Sequence, residues 1–229
     1  MFGSKYRIIF LLMAGCFLLK SDAVFARDDF QFWNQLQVKT LDTKYVDLLT
    51  LIDNRIKDDA TTLGVSELSE KIKYDFWKNL SLGTNYTYVS AKAFSASSGR
   101  DELKFQHRLE FEVTPHGAMG DWLKFDWRNR VEFRWIEDNG ADNMRYRSKM
   151  IFEFPVKNHL PLKSISVSDE FYYDQNVHEY NENWLVPVGL NFQVNAKTTV
   201  SLYSLIQMKK GVQDWSSNQV LGTMISTSF

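Results

Sequence analysis

The sequence predicts an all-β fold, an antiparallel up-and-down transmembrane β-barrel of 10–12 strands. Three observations support this fold class: apolar and polar residues alternate in one segment after another, those segments are long, and the chain ends in an aromatic residue. The alternation is clearest in LKFDWRNRVEFRW (123–135), where apolar residues occupy one parity, broken only by Asn129, and charged residues the other. Since strand side chains point to opposite faces in turn, this segment is a strand with one apolar and one charged face.

Similar segments fill nearly the whole chain after residue 26. Each places aliphatic or aromatic residues on one parity and polar or charged residues on the other. None shows a long stretch in which apolar residues recur with the 3.6-residue period of a helix. Turn-forming residues such as Pro115-His116-Gly117 separate neighbouring segments. In chain order the predicted strands are 30–39 (FQFWNQLQVK), 45–55 (YVDLLTLIDNR, with weaker alternation), 68–76, 80–91, 103–113, 122–135, 144–154, 163–173, 183–194, 199–208 and 217–229.

The length and connections of these segments are typical of a membrane barrel. They run about 9 to 13 residues, whereas a tilted transmembrane strand needs roughly 9–11 and soluble strands average nearer 5–6. Short turns alternate with longer polar connections, as in barrels with short periplasmic turns and longer outer loops. Counting back from a periplasmic C-terminus gives ten strands starting near Tyr45. Segment 30–39 is then an eleventh strand, although single-chain bacterial barrels have even numbers.

The N-terminus predicts export. Residues 1–26 have a basic start at Lys5 and Arg7, an apolar run over 8–19 and an Ala26 that suits cleavage, so they are expected to be a signal peptide. Residues 27–229 form the barrel domain. Cleavage would remove Cys16, the only cysteine, and take the net charge from −1 to −3, because three basic residues and one acidic residue leave. This net charge does not indicate the basic surface patch that binds nucleic acid.

The cost of burying charge assigns the two faces of the barrel. A lipid-facing Arg or Lys costs about 2–4 kcal/mol at the bilayer midplane, so the charged face of 123–135 must line the lumen and the apolar face must contact outer-membrane lipids. Phe229 ends an alternating strand, as the closing strand recognised by the outer-membrane barrel assembly machinery typically does. The aromatic residues expected in interfacial girdles are Trp122, Trp127, Trp135, Tyr86, Tyr88, Tyr172, Tyr173 and Trp184.

The inward charges are the candidate functional residues. They allow two interpretations: a structural lumen held by Arg–carboxylate pairs, or a narrow arginine-lined pore that selects small anionic solutes. Strand segments 124–134 and 145–149 carry seven basic and two acidic inward residues, which favours anions. The predicted lumen-lining residues are Arg108, Glu110, Lys124, Asp126, Arg128, Arg130, Glu132, Arg134, Arg145, Arg147, Lys149 and Glu170, with Glu112 and Glu153 on the same parity.

Two other classes of protein remain as alternatives. A soluble periplasmic lipocalin-like barrel would turn the apolar face inward and bind an apolar ligand. An outer-membrane hydrolase would need a catalytic histidine, for which His178 with nearby Asp174 is the best pair. The chain contains no G-x-S-x-G, H-E-x-x-H or EF-hand pattern, so we predict no enzyme, no metal site and no cofactor.

Several short motifs resemble a known family. They are Trp33, Arg55, His107-Arg108, RNR at 128–130, RYR at 145–147 and DEFYY at 169–173. In this order and spacing they resemble the domain of unknown function 2490 family of exported barrels. NENWLVPVGLNF departs from the pattern, because Trp184 follows Asn183 where the family has an Asn-Arg pair. The resemblance implies an outer-membrane β-barrel and supplies no established activity.

Overall fold

The computed structural model describes residues 29–95, 99–137, 143–157, 161–211 and 214–229, so the predicted signal peptide lies outside the described residues. Eleven strands form one closed barrel. No helix in the described part of the chain is long and apolar enough to span a membrane. The strands are β1 Asp29–Asp42, β2 Val46–Lys57, β3 Thr62–Trp77, β4 Leu80–Ser95, β5 Arg100–Met119, β6 Leu123–Ile136, β7 Asn143–Pro155, β8 Leu162–Asp174, β9 Glu179–Gln193, β10 Thr198–Lys210 and β11 Trp215–Ser228.

Every strand except β6 is longer than the alternation predicts, and the lengths run from 12 residues in β2 to 20 in β5. β5 continues through Pro115-His116-Gly117, which was wrongly predicted to be a turn. Pro115 has no backbone N–H to donate to β6. It still pairs with Leu80 of β4, and the pairing of β5 with β6 resumes at His116. The ring of Phe125 lies 2.9 Å from where a Cβ at Gly117 would be, so this position suits glycine because the neighbouring strand covers it closely.

The barrel closes through a parallel pair of strands. Ten neighbouring pairs are antiparallel, but β1 runs parallel to β11, with Trp33 opposite Gly222 and Leu36 opposite Ile225. The prediction of an entirely antiparallel up-and-down barrel is therefore wrong at this seam. The reason is the odd count: when eleven strands alternate in direction, the first and the last must point the same way. Segment 30–39, left open by the sequence, is a full member of the wall.

The same odd count places the two chain ends at opposite rims. The N-terminal rim is where β1 begins, and the last residues of β2, β4, β6, β8 and β10 lie at that rim. The C-terminal rim is where β11 ends, and the last residues of β1, β3, β5, β7 and β9 lie at that rim.

Apolar side chains cover the outer wall and charged side chains fill the interior. Leu68 and Phe111 are 48% and 50% exposed on the outside, whereas Glu110 and Glu132 are 2% and 0% exposed on the inside. A barrel with its apolar face inward, as the lipocalin-like alternative requires, does not fit this arrangement. Tyr172 is also fully buried inside, so its placement in an outer aromatic girdle is wrong. It shares the parity of Glu170, and parity outweighs the general preference of tyrosine for interfaces.

The interior has an apolar sector as well as a charged one. Trp33, Val186, Leu205 and Val220 form a buried cluster, against which Trp184 and Tyr203 pack. Trp184 was likewise predicted to be in the outer girdle, and it lies instead against this inner cluster. The ring of Tyr203 occupies the space that a Cβ at Gly222 would need, so glycine allows the ring to lie against β11. The apolar sector is built by β1 and β9–β11, and the charged sector faces it from β2–β8.

Candidate functional site in the barrel interior

The predicted lumen-lining residues all lie on β5–β8, on the parity that points inward. Ten of the twelve are buried or half-buried. The other two, Lys124 and Asp126, are exposed at the C-terminal rim, where Lys124 Nζ lies 3.8 Å from Glu153 Oε1. These charged side chains lie on the inner parity of their strands, and their role in lining a selective lumen stays a prediction.

Arg130 joins two carboxylates from the neighbouring strand β5. Its Nη1 lies 2.6 Å from Glu110 Oε2 and its Nη2 lies 2.9 Å from Glu112 Oε2. Lys71 of β3 reaches the other oxygen of Glu112 at 2.7 Å, and Asn85 Nδ2 donates to Glu110 Oε2 at 2.8 Å. Four strands thus meet in one network, in which each carboxylate has a cation and an additional polar contact.

Arg147 is the centre of a second network. Its Nε donates to Glu170 Oε1 at 3.0 Å, its Nη1 to Glu132 Oε2 at 3.1 Å and its Nη2 to the Tyr172 hydroxyl at 3.2 Å. Arg128 Nη2 and Lys149 Nζ also pair with Glu170, at 3.1 and 3.6 Å. The guanidinium fork therefore cross-links β6, β7 and β8 through their side chains.

Acidic residues from other strands offset the basic excess of β6 and β7. The predicted excess covers only β6 and β7, and it leaves out Asp53 on β2, Glu67 on β3 and Glu182 on β9. Glu67 Oε1 lies 3.3 Å from both Arg55 and Arg108, and Glu182 Oε2 lies 3.4 Å from Arg145. The weaker alternation of β2 hid this part of the site, although Arg55 appeared among the family motifs. The interior is close to charge balance, which weakens the argument for anion selectivity.

Aromatic rings link the charged sector to the apolar one. The Arg55 guanidinium lies 4.4 Å from the centroid of the Trp33 ring and 5.1 Å from that of Trp184. The Arg147 guanidinium lies 4.8 Å from the centroid of the Tyr172 ring, whose own centroid lies 5.1 Å from that of Trp184, with the two ring planes tilted by 48°. Such cation–π contacts strengthen where water is excluded. Trp33 and Tyr172 are almost fully buried, so at this level the rings and charges fill the barrel.

The candidate hydrolytic pair does not come together. Asp174 accepts hydrogen bonds from the backbone N–H of Asn176 and from the side chains of Asn143 and Asn181. His178 lies in the β8–β9 connection with a φ of 53°, and its Nδ1 is 3.5 Å from Gln175 Nε2. A general base must lie within hydrogen-bond reach of the group that orients it, and these contacts do not provide that geometry. Within the described ranges, no group of three or more His, Cys, Asp or Glu residues could hold a metal ion.

A family model described as "Protein of unknown function (DUF2490)" matches residues 30–218. The chain belongs to the DUF2490 family. The match begins in β1 and ends in β11, so the DUF2490 region corresponds to the barrel wall. The chain matches no curated protein sequence.

Proposed function

We propose that this DUF2490 protein is a structural β-barrel of the bacterial outer membrane, with an interior closed by ion pairs. The observation that carries the proposal is the burial of Glu110, Glu132 and Glu170 against arginines inside a barrel whose outer wall is apolar. A water-soluble protein would reverse these two faces. A membrane protein whose strands form its transmembrane region needs this arrangement.

The shape of the wall supports insertion into a bilayer. Closure through β1 and β11 leaves no strand edge, so the backbone groups of the wall are paired, as hydrocarbon surroundings require. Strands of 12 to 20 residues exceed the roughly 9–11 that cross a bilayer at a tilt, so they extend beyond both surfaces. Outer-membrane lipids are then the partners of the outer wall.

The contacts inside the barrel favour a closed lumen over a pore. A pore selective for anions needs cations that face a water-filled path. Arg130 and Arg147 instead each contact at least two carboxylates, and bulky side chains from the apolar sector lie beside them. The alternative function is an arginine-lined pore for small anionic solutes. A conductance measurement distinguishes this pore from a closed barrel.

The end of β11 supports a partnership with the barrel assembly machinery. Phe229 follows directly on β11 and is 79% exposed, and its backbone N–H donates to Lys39 O of β1 at 3.3 Å. An exposed terminal aromatic on the closing strand is accessible to a recognising protein before the seam forms.

The test combines gel mobility with conductance. The protein from washed outer membranes is expected to migrate differently with and without boiling in detergent, because a folded transmembrane barrel resists the detergent. The purified folded protein is then expected to give no conductance steps in a planar bilayer in which an open porin does. Recovery in the soluble periplasmic extract without a mobility shift would contradict the membrane location. Anion-selective steps would establish the pore instead.

A further inference from the structure

One inward arginine has far weaker contacts than its neighbours. Arg134 on β6 makes no hydrogen bond among the described residues, and its single ion pair joins its Nε to Glu132 Oε1 at 3.6 Å. Its side chain is 16% exposed, so it is mostly removed from water. A buried guanidinium with so few acceptors is costly unless another acceptor reaches it.

The cross-strand neighbours of Arg134 add positive charge. Arg108 on β5 is its direct partner in the β5–β6 register, and like charges opposite each other destabilise a sheet. Arg145 lies on the next strand, two positions from Asn143, which is the β7 partner of Arg134. These three residues, Arg108, Arg134 and Arg145, form an arginine triad on the N-terminal rim side of the charged networks.

The carboxylates near the triad are shared with other cations. Glu132 pairs with Arg145 at 2.9 Å and Arg147 at 3.1 Å as well as with Arg134. Glu67 divides its contacts between Arg108 and Arg55. Glu182 reaches Arg145 only at 3.4 Å. The three arginines of the triad therefore share three carboxylates, two of which also pair with Arg147 or Arg55, whereas Arg130 alone has two carboxylates in close contact.

Buried donors without acceptors collect in the same place. Of the five such donors in the described residues, four are Gln106 Nε2, Arg108 Nε, Arg134 Nε and Arg145 Nε, and the fifth is Arg130 Nε. Two buried acceptors nearby, Glu132 Oε1 and Asn143 Oδ1, also make no hydrogen bond, so donors are in excess. Buried polar groups normally have partners, and a concentration of unpaired donors indicates a missing acceptor.

We propose that the arginine triad binds a small oxyanion that enters from the N-terminal rim. Planar guanidinium groups bind phosphate or carboxylate oxygens through paired N–H donors, and a tetrahedral phosphate offers oxygens in several directions. The anion supplies the acceptors that the triad lacks and separates Arg108 from Arg134 electrostatically. This site goes beyond the closed structural barrel, because it gives the interior a ligand without making it a pore.

The test uses thermal unfolding of the folded barrel in a non-ionic detergent. Inorganic phosphate is titrated at constant ionic strength against chloride, and acetate is titrated separately to distinguish a phosphate from a carboxylate ligand. At ten times the dissociation constant we expect the midpoint temperature to rise by about 3–6 °C and then to follow saturable binding. Acetate giving the larger rise would assign the site to carboxylates.

Two variants on one strand separate the site from general charge effects. Arg134→Gln should remove the rise, with at least tenfold weaker phosphate binding. Lys124→Gln should keep it, because Lys124 has the same inward parity on β6 but lies at the opposite rim. In chloride alone, Arg134→Gln should unfold no earlier than the wild type, since it relieves the repulsion with Arg108. If Arg134 had only a structural role, Arg134→Gln would be less stable than the wild type.

Three outcomes overturn the proposal. The first is that neither anion raises the midpoint temperature in a saturable way. The second is that the rise persists in Arg134→Gln, and the third is that Lys124→Gln loses the rise to the same extent as Arg134→Gln. Gel mobility without boiling shows whether each variant is folded. Should Arg134→Gln fail to fold, Arg134→Lys keeps the charge and removes the fork. Phosphate binding unchanged in that variant would also contradict the site. None of these outcomes bears on the closed barrel itself.

Discussion

The carboxylate of Glu132 shows how the interior is stabilised residue by residue. It is fully buried, and its two oxygens contact Arg145 at 2.9 Å and Arg147 at 3.1 Å. Removing an ionised carboxylate from water is unfavourable by several kcal/mol, which such contacts offset only when the geometry is good. The buried charges are therefore interdependent, because each one relies on partners from neighbouring strands.

Replacing Glu132 tests this interdependence. Glu132→Gln keeps the shape but leaves Arg145 and Arg147 with less compensating charge, so we expect the free energy of unfolding to fall by about 3–5 kcal/mol. Glu153→Gln is the matched control, because Glu153 pairs at 3.8 Å with the exposed Lys124 at the C-terminal rim. That change should cost about 0–1 kcal/mol. Denaturant unfolding of the refolded barrel measures both, and equal losses would contradict a buried network.

At the scale of the strands, alternation in the sequence determined which face of a strand turns inward. It could do so for β5–β8 because Arg and Glu occur there on one parity and Leu and Phe on the other. It failed for Tyr172 and Trp184, because aromatic residues suit a lipid interface and a packed interior equally well. In those two cases parity was the better guide than residue type.

Contacts between strands could not be read from any single strand. Asn129 interrupts the apolar parity of β6, and its Oδ1 accepts from Ser148 Oγ of β7 at 3.1 Å, while Trp127 Nε1 donates to the same Ser148 Oγ at 3.0 Å. The polar break is thus satisfied by a partner 19 residues away on the outer wall. The acidic partners of the arginines, from β3 and β9, were missed for the same reason.

The parallel seam was also beyond sequence analysis, because it joins the first and last strands. Pairing runs in register from Asp29 with Asn218 to Lys39 with Ser228. On the outside, Thr223 Oγ1 donates to Asn34 Oδ1 at 2.6 Å, and on the inside Trp33 packs against Val220. The seam is therefore supported by a hydrogen bond on one face and by apolar packing on the other.

Cysteine pairs test the register of the seam. Leu36 and Ile225 are direct Cα partners, so Leu36→Cys with Ile225→Cys should form a disulfide under mild oxidation in a protein that lacks residues 1–26. The control pair, Leu36→Cys with Leu221→Cys, uses the same face of β11 four residues earlier. That separation is about 13 Å, too far for a disulfide. Cross-linking of the control pair, or of neither pair, would exclude the parallel register.

For the whole molecule, the odd strand number determines how the barrel would sit in a membrane. The two rims carry opposite chain ends, so a bilayer around the wall would hold β1's start and β11's end on opposite sides. An assembly machinery that recognises the C-terminal strand from the periplasm would leave the C-terminal rim there. The N-terminal rim, and with it the entrance to the arginine triad, would then face the cell exterior.

Single cysteines at the two rims test this orientation. Val177 lies in the exposed β8–β9 connection at the N-terminal rim, and Lys78 lies in the exposed β3–β4 connection at the C-terminal rim. A maleimide attached to a large polymer cannot cross the outer membrane, so in intact cells it should label Val177→Cys and leave Lys78→Cys unlabelled. Permeabilising the outer membrane should make both variants react, which controls for buried thiols. Labelling of Lys78→Cys alone in intact cells would reverse the orientation, and labelling of both would place both rims on one side, which an eleven-stranded barrel spanning the membrane does not permit.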